Sequence, residues 1–189
     1  TRLSAHIATR ITKKDEDPRY AKYRKEWGSL YPIKAYIFFF LGQSLLIAFI
    51  AIAPFYIAAY GQAFDWNILA VLGLLIWGVG FFFESIADRQ LQVFLSRPKN
   101  KGKLMTQGLW KYSRHPNYFG ESVMWWGVFL MILSFPYGWA AIVSPLAITF
   151  FLLKVTGVPL AEKSLQHHPD FPKYKKQTSI FIPLPRRNS

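Results

Sequence analysis

Nine residues near the middle of the chain, Ser113-Arg114-His115-Pro116-Asn117-Tyr118-Phe119-Gly120-Glu121, gather a guanidinium, an imidazole, an amide, a phenol and a carboxylate. Pro116 suits a first helical position, where its missing N–H would be unpaired anyway, and His115 before it is biased away from the α region. A helix that begins there offers free backbone amides and a positive dipole end, with Lys111 and Arg114 beside them. That is the chemistry of an anion site. Asn117 and Glu121 fall on one face, four residues apart, with Trp125 four further on, and Tyr118 shares its side with Glu121 and Trp125. An apolar helix gains nothing from an amide and a phenol unless something polar meets them. Glu121 alone is also explained as a first-turn carboxylate, and His115 as a capping or packing residue.

A second group of polar residues precedes this one. Glu84 and Asp88 share a helix face at the end of an apolar run. They either pair with the cations of the following loop, Arg97, Lys99 and Lys103, or hydrogen-bond a ligand's hydroxyls or base. The loop Arg97-Pro98-Lys99-Asn100-Lys101-Gly102-Lys103 reads as solvated or lipid-facing surface that would also neutralise a phosphorylated ligand held between the two groups. Downstream, Pro159 restarts a helix with Glu162 and Lys163 in its opening turn. No metal site is expected. The pair Glu84/Asp88 has no nearby histidine, and His167-His168 are adjacent residues with no third ligand at zinc spacing.

Such residues need elements to hold them, and the composition names the class. The chain has 189 residues, 52% of them hydrophobic, with 23 Lys and Arg, 10 Asp and Glu, and no Cys. Segments 35–60 and 67–88 and the hairpin 117–134 with 138–154 are each long enough to approach or exceed the roughly 20 residues that cross a hydrocarbon core. The hairpin is broken at Ser134-Phe135-Pro136-Tyr137-Gly138, a turn-like cluster. All the basic residues lie in 1–34, in the loop 89–118 or in 154–189, and none lies in the turns 61–66 and 134–139. The positive-inside rule therefore puts the N-terminus, the basic loop 89–116 and the C-terminal tail 155–189 on the cytoplasmic side. The expected fold is an all-α, polytopic integral membrane helical bundle with four spans, preceded by an amphipathic interfacial helix over 18–31. Asp15-Glu16-Asp17-Pro18 suits the start of that helix, and Thr1 to Ile11 reads like the end of an earlier element. Anionic lipid accounts for the net charge of +13, and no nucleic-acid recognition fold is expected.

Three motifs in order carry a resemblance. They are Gly108-Leu109-Trp110-Lys111-Tyr112 continuing through Ser113 to Glu121, then Gly157-Val158-Pro159-Leu160-Ala161-Glu162-Lys163, then Thr178-Ser179-Ile180-Phe181-Ile182-Pro183. From about Asp15 onward the chain resembles the DUF1295 branch of the steroid 5-alpha-reductase-like membrane family. The Arg-His-Pro-x-Tyr core is shared with sterol C14-reductases and isoprenylcysteine carboxyl methyltransferases. The resemblance implies a membrane enzyme of lipid metabolism that reduces a carbon–carbon double bond conjugated to a carbonyl in a hydrophobic substrate, using NADPH bound from the cytoplasmic side. It places the cofactor pocket at Asp88, Arg97, Arg114, Asn117, Tyr118, Glu121, Glu162 and Tyr174, with Tyr118 and Glu121 as the polar groups nearest the chemistry. In those reductases the groups that polarise the substrate carbonyl lie on earlier helices, so either helices precede Thr1 or that half of the pocket is lost. The shared core also leaves an S-adenosylmethionine-dependent methyltransferase as an alternative. A non-catalytic subunit of a larger membrane complex is another.

Overall fold

A computed structural model describes residues 18–60 and 66–187. The acidic start Asp15–Asp17, the stretch Thr1–Ile11 and most of the turn 61–66 lie outside them. The chain divides into two compact units, residues 1–47 and 48–189. Among the described residues the structure is helical, and its one isolated parallel bridge joins Ser113 to Ser179.

In the first unit, α1 (Pro18–Trp27) passes through a 3-10 turn, Gly28–Leu30, into α2 (Tyr31–Ala35) and a π-helical stretch, Tyr36–Leu41. The turn is possible because Gly28 takes φ +49, and Pro32 sits at a helix start where it removes no hydrogen bond. Helical structure therefore runs on where a break near residue 35 was expected. Tyr23, Trp27 and Phe39 pack ring on ring, and Lys34 lies over the Trp27 ring.

The next helix, α3 (Gly42–Tyr60), contains Pro54, which cannot donate to the carbonyl of Ile50. Ser144, from the helix α6 (Val143–Lys154), meets that defect. Its hydroxyl accepts from the Ala53 amide at 3.2 Å and lies 2.8 Å from the Phe49 carbonyl and 3.3 Å from that of Ile50. Nearby, Ala53, Ile132, Phe135 and Ala141 form an apolar cluster.

The long helix α4 (Ile68–Leu95) is capped by Asn67, whose side chain accepts from the Ala70 amide at 3.0 Å. It runs on beyond the expected span 67–88 and ends at Leu95, ahead of Pro98. Against it lies α5 (Pro116–Ile132), and glycines set their distance. A Cβ added at Gly73 would come within 2.6 Å of the Gly127 carbonyl, and one at Gly80 within 2.6 Å of the Gly120 carbonyl. Each helix thus spaces two glycines seven residues apart, so the backbones touch at two levels of an antiparallel pair. This register brings Asp88 opposite Asn117.

Three helical runs are long and apolar enough to cross a membrane: Tyr20–Tyr60, Ile68–Leu95 and Gly138–Leu165. The remaining expected span, α5, is shorter than these. At 17 residues, α5 measures about 26 Å at 1.5 Å per residue, short of a ~30 Å hydrocarbon core. It ends where the sequence turns, at Pro136 and at Tyr137, which takes φ 57. Consecutive helices α5 and α6 then form the expected hairpin, tied by a 2.7 Å hydrogen bond between the hydroxyls of Ser122 and Thr149.

Beyond α6, the short helices α7 (Val158–Leu165) and α8 (Phe171–Gln177) and the segment to residue 187 are packed rather than free. This C-terminal segment returns to the residues just ahead of α5. The Arg114 amide donates to Ser179 O at 2.8 Å, the Ser113 hydroxyl to Phe181 O at 2.7 Å, and the Leu184 amide to Tyr112 O at 3.1 Å.

Candidate functional site

His115 is the N-cap residue of α5, with φ −140 and ψ 61, and Pro116 occupies the first turn as its chemistry predicts. The segment before it is pinned from both sides. The Trp110 indole donates to Ala87 O on α4 at 3.0 Å, the Leu109 amide donates to the Gln90 side chain at 2.9 Å, and the Tyr174 hydroxyl donates to Trp110 O at 2.6 Å. Burial pushes the Tyr174 hydroxyl's pKa up, against the pull of Arg114, so it stays a donor.

Arg114 is buried, and its guanidinium bonds to acceptors of the protein itself. Its Nε donates to Glu162 Oε1 at 2.7 Å, and its Nη1 donates to the carbonyls of Lys175 at 3.1 Å and Thr178 at 2.6 Å. Glu162 thereby neutralises it. One salt-bridged guanidinium holds α5, α7 and the end of α8 together.

His115 lies 3% exposed, its ring stacked on Tyr118 with centroids 5.3 Å apart. Its Nε2 stands 3.6 Å from Glu162 Oε1, at ion-pair range but beyond a hydrogen bond, and has no other partner. Burial lowers the imidazole pKa to about 4, outweighing the opposite effect of Glu162, so the ring is neutral at physiological pH. Asn117 donates from Nδ2 to Asp88 Oδ1 at 3.0 Å, while its buried Oδ1 accepts nothing. Glu84 Oε2 is the third buried atom without a hydrogen-bond partner. Glu84, Asp88 and Glu121 lie near enough to repel one another. Among the described residues neither Glu84 nor Asp88 pairs with Arg97, Lys99 or Lys103.

Buried polar groups are rarely left unpaired, and two of these three, on His115 and Asn117, belong to residues of one cavity, where a ligand would complete the bonding; Glu84 lines none of the cavities. Arg114, His115, Asn117, Tyr118 and Tyr174 all line a cavity of about 340 Å³, closed elsewhere by apolar side chains such as Phe94, Leu104 and Phe171. Asp88 supports it through Asn117, and Glu162 through Arg114. Arg97 instead lines an adjoining cavity of about 680 Å³ with Arg89 and Lys99. Lys103 belongs to both. Glu121 lines neither. His115 was not among the expected pocket residues, and Lys103 was expected there only as part of the loop's charge. His115 could have been recognised from the burial that the flanking docked segments impose, a signal absent from its own motif.

Among the described residues no cluster of His, Cys, Asp or Glu could hold a metal. The donor and acceptor pattern does fit a phosphorylated organic cofactor: cations line one cavity, and the unpaired His115 Nε2 and Asn117 Oδ1 belong to the next.

Comparison with known proteins bears on this geometry. The family described as "Protein of unknown function (DUF1295)" matches residues 1–178. A 66-residue stretch is 36% identical to the "Probable O-methyltransferase ustE" of Ustilaginoidea virens, covering 35% of this chain and 23% of that protein. The chain therefore matches less than a quarter of that relative's length. No solved structure matches. The family match, running almost end to end through all but the last motif residues, places the chain in the DUF1295 family of membrane proteins, the steroid 5-alpha-reductase-like branch.

Proposed function

We propose that this protein is a membrane-embedded reductase that uses NADPH to reduce a carbon–carbon double bond conjugated to a carbonyl in a lipid or steroid-like substrate. One observation carries the reading. The cavity whose lining includes the unpaired His115 and Asn117 atoms adjoins, at Lys103, a cavity lined by Arg89, Arg97 and Lys99. A nicotinamide carboxamide has both a donor and an acceptor to offer such atoms, and the dinucleotide's phosphates need cations at about the length of one nucleotide away. S-adenosylmethionine has no phosphate and would leave the basic cavity without a purpose.

NADPH would supply the hydride, and the protein's residues would do the rest. Asp88 orients Asn117 through its 3.0 Å bond, fixing which face of the amide meets the ring. Tyr118, on the cavity wall, would hold the proton that the second carbon receives, so that one hydride and one proton saturate the double bond. Glu121, outside the cavity lining, would act through the polar face of α5 rather than by touching substrate. Arg114 and Glu162 would position the wall without contacting phosphate. The loop's cations would face the cytoplasm, where the cofactor is found.

A methyltransferase is the second reading, favoured by the name of the Ustilaginoidea virens relative. The test is a side-by-side titration of the full-length native protein, in nanodiscs, with NADPH, NADH and S-adenosylmethionine. NADPH is expected to raise the thermal midpoint saturably and to bind at least tenfold more weakly after Arg97→Ala with Lys103→Ala. Tighter binding of S-adenosylmethionine than of NADPH would reverse the assignment.

A further inference from the structure

The C-terminal segment closes a third cavity, of about 410 Å³, against the basic loop. Lys103 from the loop, Lys173 from α8 and Arg186 from the last described turn line it, together with the side chains of Asn100, Thr106 and Gln107. Asp170, whose side chain is 79% exposed, is the one acidic residue among them. Its carboxylate lies 4.0 Å from His168 Nδ1, and among the described residues no salt bridge reaches Lys103, Lys173 or Arg186.

These cations are solvent-exposed, and specific bonds fix the segments that carry them. The His168 ring nitrogen Nε2 is 2.9 Å from Gly102 O, which fastens the approach to α8 onto the loop. The Tyr174 hydroxyl, bonded to Trp110 O, fixes the next turn of α8. The Arg187 amide donates to Gln177 O at 3.0 Å and folds the chain back so that Arg186 meets Lys173 across the cavity. From the loop side, Asn100 Nδ2 donates to Phe94 O at 2.8 Å, leaving the loop fixed at the end of α4. Three exposed cations around one open space raise the local positive potential, which one exposed carboxylate offsets only in part. Thr106 and Gln107 add neutral polar residues to the same lining. Cations together with neutral polar groups are what a phosphate dianion requires, and the space has room for the organic group that bears it.

We propose that this cavity, walled by Lys103, Lys173, Arg186 and Thr106, is a phosphate-recognition site for a phosphomonoester. The site stands on α8 and the C-terminal segment and does not depend on the nicotinamide reading, since Lys173 and Arg186 line neither of the other two cavities. The phosphomonoester is either the ribose phosphate of a soluble nucleotide or the headgroup of an anionic lipid at the membrane surface.

The test uses the full-length protein in a phosphate-free maltoside detergent, with inorganic phosphate as the probe and phosphorus NMR line broadening as the readout. Saturable binding is expected. The double substitution Lys173→Gln with Arg186→Gln should weaken it at least tenfold, while Lys101→Gln, on a loop lysine that lines none of the three cavities, should leave it unchanged. Competition then identifies the source: displacement by 2′,5′-ADP at lower concentration than by dihexanoyl phosphatidate assigns a nucleotide, and the reverse order assigns a lipid. Absence of saturation overturns the proposal, as does an equal loss in the Lys101→Gln protein, which would mean diffuse charge attraction. The amide resonances of Trp110 and Tyr174 report whether the double variant keeps α8 docked. If they shift, the single variants Lys173→Gln and Arg186→Gln replace the double, each with an expected loss of at least threefold, and unchanged binding in both overturns the proposal.

Discussion

At the scale of single residues, the motif separates into groups that hold the structure and groups that remain free for a ligand. Arg114 is the most basic side chain of the motif and the one most fully consumed by the fold, with Glu162 and two carbonyls as its partners. His115 and Asn117 keep a bonding atom in reserve. The neutrality of His115 has a consequence for stability. Its pKa is about 4 in the folded protein, against an ordinary value near 6.5, so between those values the unfolded chain binds more protons than the folded one. Stability therefore rises with pH across that window, is fully expressed above about 6.5, and is lost as pH falls toward 4. The loss is on the order of 3 kcal/mol at most, from about 1.4 kcal/mol per pKa unit. Thermal midpoints measured from pH 4 to 7 should show this slope in the wild type and a flatter one in His115→Phe. An equal slope in the two proteins would place the titration elsewhere.

At the scale of elements, the antiparallel pair α4–α5 does most to build the site, because its register puts Asp88 opposite Asn117. The two glycine levels leave no room for a methyl group. At Gly80 an added Cβ would lie 2.6 Å from both Gly120 O and the Met124 amide nitrogen, which are backbone atoms and cannot swing aside. Gly80→Val should therefore force the helices apart and cost on the order of 1–3 kcal/mol or more as overpacking. Gly78→Ala, where an added Cβ meets nothing within 4 Å, should be nearly neutral. Thermal unfolding of the two variants in the same detergent checks the contrast. This interface was legible in the sequence, in Gly73 with Gly80 and Gly120 with Gly127, but only to a reading that asked which helices touch. The start of α5 at Pro116, the turn at Pro136 and the apolar runs were all readable from local chemistry. The role of Arg114 was not, because its partners lie 48 to 64 residues away in sequence and a guanidinium's local context is the same whether it meets a carboxylate of the protein or a phosphate of a ligand. For the same reason, nothing near Lys173 in sequence indicates that Arg186 and Lys103 will share a cavity with it.

At the scale of the whole molecule, the contacts of the second unit constrain how it can lie in a bilayer. The stretch 98–111 and the C-terminal segment touch through Gly102 and His168 and through Trp110 and Tyr174, so both must be on one side of the membrane. The turn at Tyr137, 73% exposed, lies at the far end of α5 from them. Because α5 is about 26 Å long by its 17 residues, its far end reaches the opposite interface only if the bilayer thins locally or the neighbouring Trp139 and Tyr137 rings sit at headgroup level, which both can do with their amphipathic rings. The chain contains no cysteine, so each introduced thiol is the only one present. In sealed vesicles, Lys101→Cys and Lys175→Cys should react with a membrane-impermeant maleimide from one and the same side, and Tyr137→Cys from the other. Labelling of Tyr137→Cys from the side of Lys101→Cys would mean that α5 and α6 enter the membrane and return without crossing it, leaving Tyr20–Tyr60 and Ile68–Leu95 as the spans.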